Sequence, residues 1–471
     1  MRQSFSAKVG VVPLQGNRRR GMTGREKEGA RERKGEREKE RERERKRETG
    51  KEKDRENQGM EHALEVKILK QLMQQLDEGK NIDAGIQYTM PTTSYVCPRL
   101  AAQEWDAFFQ GHPQLIGLSG ELPQPGSFLT LDNFGTPVLA TRDKSGGFHA
   151  FLNACRHRSA KVASEERGQK SMFTCPFHHW GYGNNGNLIT IPNEDHFGAI
   201  DKSCHGLIEL PAIEKDGLLW VHPKPGGQLD IDDLLSGLAK EIASYDLGAM
   251  VYGGEKVIDM QLNWKLANDT FGETYHFQKL HKNTLGQIFL GNNLHLEEFG
   301  RNHRFVTANR SIFDLQSLPE EQWSITAATF VLYYLFPNIQ MVVNKESVTL
   351  IKIYPAENNP GRSITRIAFY YSKSALENAE AETGTPLTAD DVYSPDRRKT
   401  AGPSLAASLE VFRSTIEMED YLMGEMQQRS AQSGLLEHIL FGRNEPALHH
   451  FHNSYREALN QPPLKPMETH G

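Results

Sequence analysis

Apolar residues recur at helical spacing over residues 60–80, where Leu64, Ile68, Leu69, Leu72, Met73 and Leu76 share one face. This predicts an amphipathic helix, and residues 60–91 are assigned to that opening element. From 92 to 225 the pattern changes to short apolar runs broken by turn residues. Runs at 128–131, 137–140 and 148–151 are separated by Asp132-Asn133, Gly135 and Gly146-Gly147, and another run lies at 218–221. Such runs predict strands. Pro223, Pro225, Gly226 and Gly227 then mark a boundary. Beyond it, residues 226–465 form a second predicted domain, with consecutive strands at 339–343, 348–354 and 365–371 and a turn over 355–361. Leu405, Leu409, Phe412, Ile416 and Met423 make the apolar face of a later helix. Strands enclosed by helices predict an α+β fold with an antiparallel sheet.

Charge changes the picture at the N-terminus. Residues 1–59 carry 20 Lys+Arg against 12 Asp+Glu, a balance of +8; the rest carries 35 against 49, or −14, giving the net −6. Residues 25–56 are almost wholly Arg, Lys, Glu and Gly, with no apolar stripe to bury. A disordered charged extension, or a solvated helix, is expected there. The interleaved signs and absent aromatics argue against a nucleic-acid tail. Met60, which opens the first periodic segment, is the better expected start. Residues 5–15 lack the apolar core of a secretory signal, and no run of eighteen apolar residues predicts a membrane span. Cys97 and Cys204 show no pairing pattern, which suits a reducing cytoplasm.

Two segments carry candidate chemistry. Cys155-Arg156-His157 is followed, seventeen residues on, by Cys175-Pro176-Phe177-His178. Zinc sites usually pair Cys with Cys and His with His. Here each short pair mixes one Cys with one His. That suits a two-iron cluster in which one iron takes both thiolates and the other both imidazoles, the Rieske arrangement. Asn153, Arg158 and Ser159 flank the first pair, and Trp180-Gly181-Tyr182 follows the second. Polar neighbours and a shielding aromatic tune such a cluster. The second segment runs from Asn263-Trp264-Lys265 to Glu273, His276 and His281. Two His and a carboxylate can hold Fe(II) and leave positions open. Five residues place the two His about 140° apart on a regular helix, so either a π-bulge distorts the helix or His281 lies past its end. The helical wheel sets Glu419 and Asp420 at similar angles beside the later apolar face, points Glu417 and Glu425 away, and does not choose between the first two.

The mixed Cys/His loops with their W-G-Y sequel, and N-W-K leading to Glu273, His276 and His281, resemble the alpha subunits of Rieske non-haem iron ring-hydroxylating oxygenases. The resemblance covers roughly residues 90–465. It implies a small all-β Rieske iron-sulfur domain, residues 92–225, and a helix-grip catalytic domain, residues 226–465. It implies a [2Fe-2S] cluster on Cys155, His157, Cys175 and His178, and mononuclear Fe(II) on His276, His281 and Asp420, the family pattern selecting Asp420. Glu273 would be the bridging carboxylate between His178 of one subunit and His276 of the next in a trimer. An NAD(P)H-dependent reductase, with or without a ferredoxin, would supply electrons, since no dinucleotide fingerprint is present; a beta subunit would be a further partner. The implied activity is oxygen-dependent hydroxylation of an aromatic or similar small substrate, as in aromatic hydrocarbon catabolism.

Three departures stand out. His179 occupies a position where Gly is common, and we read it as a surface residue. Thr270 stands where many members have Asn, and Glu273 where many have Asp. The Glu looks more like the oxygenases of quaternary amines, so a monooxygenase or demethylase acting on a quaternary ammonium compound is the alternative. An aromatic box for such a cation could come from Phe330, Tyr333, Tyr334 and Phe336, which also read as strand core. A Rieske electron carrier without oxygen chemistry would not need the second domain. The segment 448–452, with its three His, reads as a helical surface or subunit contact.

Overall fold

The structure is a computed structural model that describes residues 59–357, 359–381 and 405–467. The charged extension at 1–58, and the side chains of Leu405 and Leu409, lie outside the described residues. The opening helix runs from His62 to Glu78 and ends at Gly79, whose φ of 61° lets its N–H reach Leu76 O. Its face of Ile68, Leu69, Leu72 and Met73 is buried. It joins a core that includes Trp323, Ile325 and Val331.

The β-rich region follows the predicted apolar runs closely. Ser127–Leu131, Val138–Arg142 and Phe148–Leu152 lie side by side in a five-stranded antiparallel sheet. Leu218–Val221 pairs between Ala212–Lys215 and Gln114–Leu118. A third small sheet joins Met172–Thr174, Gly181–Gly183 and Leu188–Thr190. The second Cys/His loop is the connection between its first two strands.

The larger region is built on a seven-stranded antiparallel sheet. From one edge to the other its strands are Val251–Met260, Asn359–Tyr371, Ser347–Ala356, Ile339–Val343, Thr329–Leu335, Asn302–Ala308 and His295–Phe299. All of Ile339–Val343 is buried, which is why it reads as a continuous apolar run rather than an alternation. The turn expected over 355–361 is much tighter. Pro355 pairs with Ser363 and Ala356 with Asn359, with a register shift between the two pairs. The bulge absorbs the proline, which cannot donate to the ladder, so the strands run on through it.

Short helices close this sheet. Trp264–Asp269 packs on Ser347–Ala356 and Asn359–Tyr371, and against Tyr421–Gln432. The N-W-K residues anchor it. Asn263 Oδ1 caps the helix by accepting Lys265 N–H at 2.9 Å. Trp264 Nε1 and Lys265 Nζ donate to the two oxygens of buried Glu104, at 2.7 and 2.5 Å. Tyr455 OH joins them on Glu104 from the last helix, Pro446–Ala458. One carboxylate thus ties three segments together. That last helix corrects the surface reading of 448–452, because His449, His450 and His452 are all buried. Their rings find partners inside: His452 Nε2 meets Asp269 Oδ1 at 2.9 Å, and His450 Nε2 meets Gly300 O at 2.9 Å. Among the described residues, no helix is long and apolar enough to cross a membrane.

Candidate metal centres

The two Cys/His loops have one backbone design. Ser159 N–H donates to Cys155 O and His179 N–H to Cys175 O, both at 2.9 Å. Cys155 N–H reaches Ala160 O at 2.8 Å, and Cys175 N–H reaches Trp180 O at 2.9 Å. Each turn ends on a left-handed residue, Ser159 at φ 60° and His179 at φ 61°. A glycine is favoured there because it has no Cβ to crowd the carbonyl. His179 is exposed, as expected of a surface residue.

These loops converge. The thiols of Cys155 and Cys175 are buried, at 3 % and 2 % exposure. The rings of His157 and His178 lie 4.5 Å apart. Trp180 stacks on His157 at 5.2 Å with 11° between the planes, the shielding role expected of an aromatic there. Tyr182 OH lies 3.3 Å from Cys155 Sγ and accepts Arg156 N–H at 3.0 Å. Burial pushes the Cys175 thiol up, so the thiolate form calls for a cation or cluster beside it. Lost hydration and the nearby His157 and Arg158 hold His178 below its usual value, which keeps its ring neutral. Asn153 fixes the first loop through Val162 N–H, Ala163 N–H and Ala163 O. Arg158 lies over the Phe177 ring, 4.8 Å from its centroid, instead of acting on the loop.

The second site assembles beyond the helix Trp264–Asp269. His276 and His281 both follow its end, in consecutive turns closed by Leu280 N–H to His276 O at 2.8 Å and Gly286 N–H to His281 O at 2.9 Å. The second alternative, a histidine past the helix end, therefore holds for both. A π-helical turn does occur, but in the element that carries Asp420, at Ile416–Asp420. His276, His281 and Asp420 bring one ligand atom each within 4.8 Å of one another. Asp420 Oδ1 lies 3.1 Å from His281 Nε2 and 3.4 Å from His276 Nε2. His276 Nε2 is buried and makes no hydrogen bond, so its lone pair or proton lacks a partner unless an ion takes that place. Burial disfavours a charged His276, but the carboxylates of Asp420 and Glu273 outweigh it and push the ring up to about 10. A divalent cation would answer the same excess of negative charge.

Glu273 is not on a helical face, since the helix has ended. It still meets His276: Oε1 accepts from His276 Nδ1. Its other oxygen accepts the backbone N–H groups of Tyr275 and His276, the latter at 3.2 Å. Thr270 Oγ1 donates to Ala267 O at 2.9 Å. Glu417 and Glu425 are engaged elsewhere, with Arg413 and with Gln261 N–H. Glu273, His276 and Asp420 line an open cavity of about 780 Å³, with Asp269, Met423 and Phe441. The residues proposed for an aromatic box do not line it. Tyr333 and Tyr334 are fully buried in the sheet, and Phe336 packs in the core.

The whole arrangement matches known proteins in two segments. Residues 112–210 match the Rieske [2Fe-2S] domain, and residues 247–461 match the ring hydroxylating alpha subunit (catalytic domain). The chain belongs to the Rieske oxygenase alpha subunits. It is 30% identical over 203 residues to the glycine betaine monooxygenase oxygenase subunit of Chromohalobacter salexigens, covering 43% of this chain and 45% of that one. It is 31% identical over 196 residues to the large oxygenase component of the Ralstonia naphthalene 1,2-dioxygenase system, covering 39% and 41%. It thus spans about half the length of these curated relatives. A crystal structure of a quaternary ammonium Rieske monooxygenase with L-carnitine superposes with a TM-score of 0.63 at 19% identity, covering 80% of this chain and 97% of that one.

Membership brings two cofactors, a Rieske [2Fe-2S] cluster and mononuclear iron. The residues fit both. The cluster loops offer two buried sulfurs and two imidazoles, and the second group offers the two-His, one-carboxylate donor set that suits iron(II). The sequence reading missed two parts of this alpha subunit. One is the Glu104 clamp beneath N-W-K. The other is the role of Glu419, weighed in the sequence only as an alternative to Asp420; Glu419 Oε2 lies 2.7 Å from His281 Nδ1. Its adjacency to Asp420 was the available signal.

Proposed function

We propose that this chain is the oxygenase component of a Rieske non-haem iron system that hydroxylates a small organic substrate with O₂ and NAD(P)H-derived electrons. The observation that carries this is the presence in one chain of the mixed Cys/His loops and the His276, His281, Asp420 group. In this reading Cys155, His157, Cys175 and His178 hold the cluster, and His276, His281 and Asp420 hold the iron. The iron, when bound, supplies the site at which O₂ is reduced. The chain's own residues then bind, orient and gate. Glu273 fixes the proton on His276 Nδ1 and so turns Nε2 toward Asp420. It also lines the open cavity, where a second copy can approach it. His178 is half-buried and Phe177 beside it is 54 % exposed, so the cluster loop can present itself to such a copy. We therefore take Glu273 as the bridge between His178 of one subunit and His276 of the next, in a homotrimer. A reductase, directly or through a ferredoxin, would deliver the electrons, and a beta subunit would be a further component. The proposed domains, 92–225 and 226–465, bracket the two matched segments.

The second reading is a monooxygenase or demethylase of a quaternary ammonium compound. Glu273 in place of Asp favours it, as do relatives named for glycine betaine and carnitine. The carboxylates of Asp269 and Glu445 in the cavity are compatible with a cation. Turnover with ¹⁸O₂, a reductase and a panel of aromatic and trimethylammonium substrates tests both. A labelled arene product supports the first, and formaldehyde or aldehyde released with the matching demethylated or cleaved amine from a trimethylammonium substrate supports the second. Neither a labelled arene nor a demethylated or cleaved amine from any substrate, while the cluster cycles, would overturn the oxygenase reading.

A further inference from the structure

The two histidines of the proposed iron site are held in the same way by different glutamates. His281 is buried, at 1 % exposure, with Nε2 toward Asp420. Its Nδ1 faces Glu419 Oε2 at 2.7 Å, and that oxygen also accepts Thr284 Oγ1 at 2.9 Å. A neutral imidazole has one donor and one acceptor nitrogen, whereas a carboxylate only accepts. Glu419 therefore fixes the proton on Nδ1 and leaves the Nε2 lone pair toward Asp420. Glu273 does the same for His276. The π-helical turn Ile416–Asp420 accounts for the convergence. Adjacent residues in an α-helix diverge by about 100°, and a wider turn lets Glu419 and Asp420 reach opposite nitrogens of one ring.

The two pairs differ in surroundings. Glu273 and His276 line the open cavity, while Glu419 and His281 are not among its lining residues. Glu273 therefore faces the cavity, whereas Glu419, outside it, is tied to His281 and Thr284.

We propose that Glu419, held by Thr284, is the positioning residue that sets the tautomer and ring orientation of His281 for iron. This rests on the reading of His276, His281 and Asp420 as the ligands. Partners of this kind are worth about 10–100-fold in metal affinity.

The test uses cluster-loaded protein stripped of mononuclear iron, with Fe(II) affinity measured against a chelator. The rhombicity of the electron paramagnetic resonance signal of the iron–nitric oxide adduct is the second readout. Glu419→Ala should weaken Fe(II) by about 10–100-fold and shift that signal. Glu419→Gln should restore most of the affinity, because its amide oxygen still accepts from Nδ1–H. Thr284→Val should weaken Fe(II) more mildly. The Rieske signal should be unchanged in all three. Wild-type affinity and signal in Glu419→Ala would overturn the proposal, and so would the same result in Thr284→Val should Glu419→Ala not fold. Loss of iron in Glu419→Ala as complete as in Asp420→Ala would make Glu419 a ligand and overturn it too. If Asp420→Ala retains iron normally, the ligand assignment itself fails.

Discussion

Glu273 divides its oxygens between two tasks, and a glutamine cannot perform both. Oε1 accepts from His276 Nδ1, while Oε2 faces the N–H groups of Tyr275 and His276. In Glu273→Gln one of these positions becomes an NH₂ facing a donor. The ring keeps an acceptor only if the amide oxygen turns toward it. We expect the variant to keep its cluster and most of its mononuclear iron but to lose nearly all turnover, because the negative charge proposed to bridge two subunits is gone. Iron per chain and single-turnover oxidation of the pre-reduced cluster measure the two halves. Oxidation at the wild-type rate would remove the bridging role. Residues of this kind were unevenly legible in the sequence. Cys155, His157, Cys175 and His178 announce themselves because each pair is local. Glu419 and Asp420 do not, because 138 residues separate Glu419 from His281 and a helical wheel built on 3.6 residues per turn misplaces a π-helical turn.

At the scale of elements, the decisive structure is a series of turns where the spacing suggested a helix. The chain leaves Asp269 and carries His276 and His281 through turns that close on Gly286. A Cβ at Gly286 would stand 2.7 Å from Phe277 O and 2.8 Å from His281 O. Both atoms are backbone, so neither can swing aside. Gly286→Ala should therefore displace His281 and drain the mononuclear iron while leaving the Rieske signal intact. Metal analysis alongside electron paramagnetic resonance checks this, and full iron occupancy would show that the turn tolerates the methyl group. The strands at 339–343 and 128–131 were legible because short apolar runs report burial directly. The Glu104 clamp was not, because a glutamate on a short helix looks solvated until Trp264, Lys265 and Tyr455 are seen to surround it.

On the scale of the whole molecule, the last helix seals the large sheet through a pair of histidines. His303, on strand Asn302–Ala308, and His450, on helix Pro446–Ala458, meet Nδ1 to Nδ1 at 2.9 Å. His450 Nε2 lies 2.9 Å from Gly300 O, so that nitrogen carries the proton and His450 Nδ1 accepts from His303. A further proton on His303 would go to Nε2 and charge a fully buried ring beside a second imidazole. Burial, reinforced by His450, accordingly holds His303 well below its ordinary value of 6.5. The unfolded chain therefore takes up a proton as pH falls through 6.5, and the folded one does not until much lower pH. Stability contributed by the neutral His303 ring is complete above 6.5 and is lost as pH falls toward the folded value. From an unfolded value near 6.5, the loss between pH 7 and 5 is at most about 2 kcal/mol for this one ring. His303→Asn removes the titrating ring and keeps a donor for His450. It should be less stable at pH 7, yet lose less on going to pH 5, with denaturant midpoints at the two pH values as the measurement. An equal loss in variant and wild type would place the acid sensitivity of the sheet elsewhere.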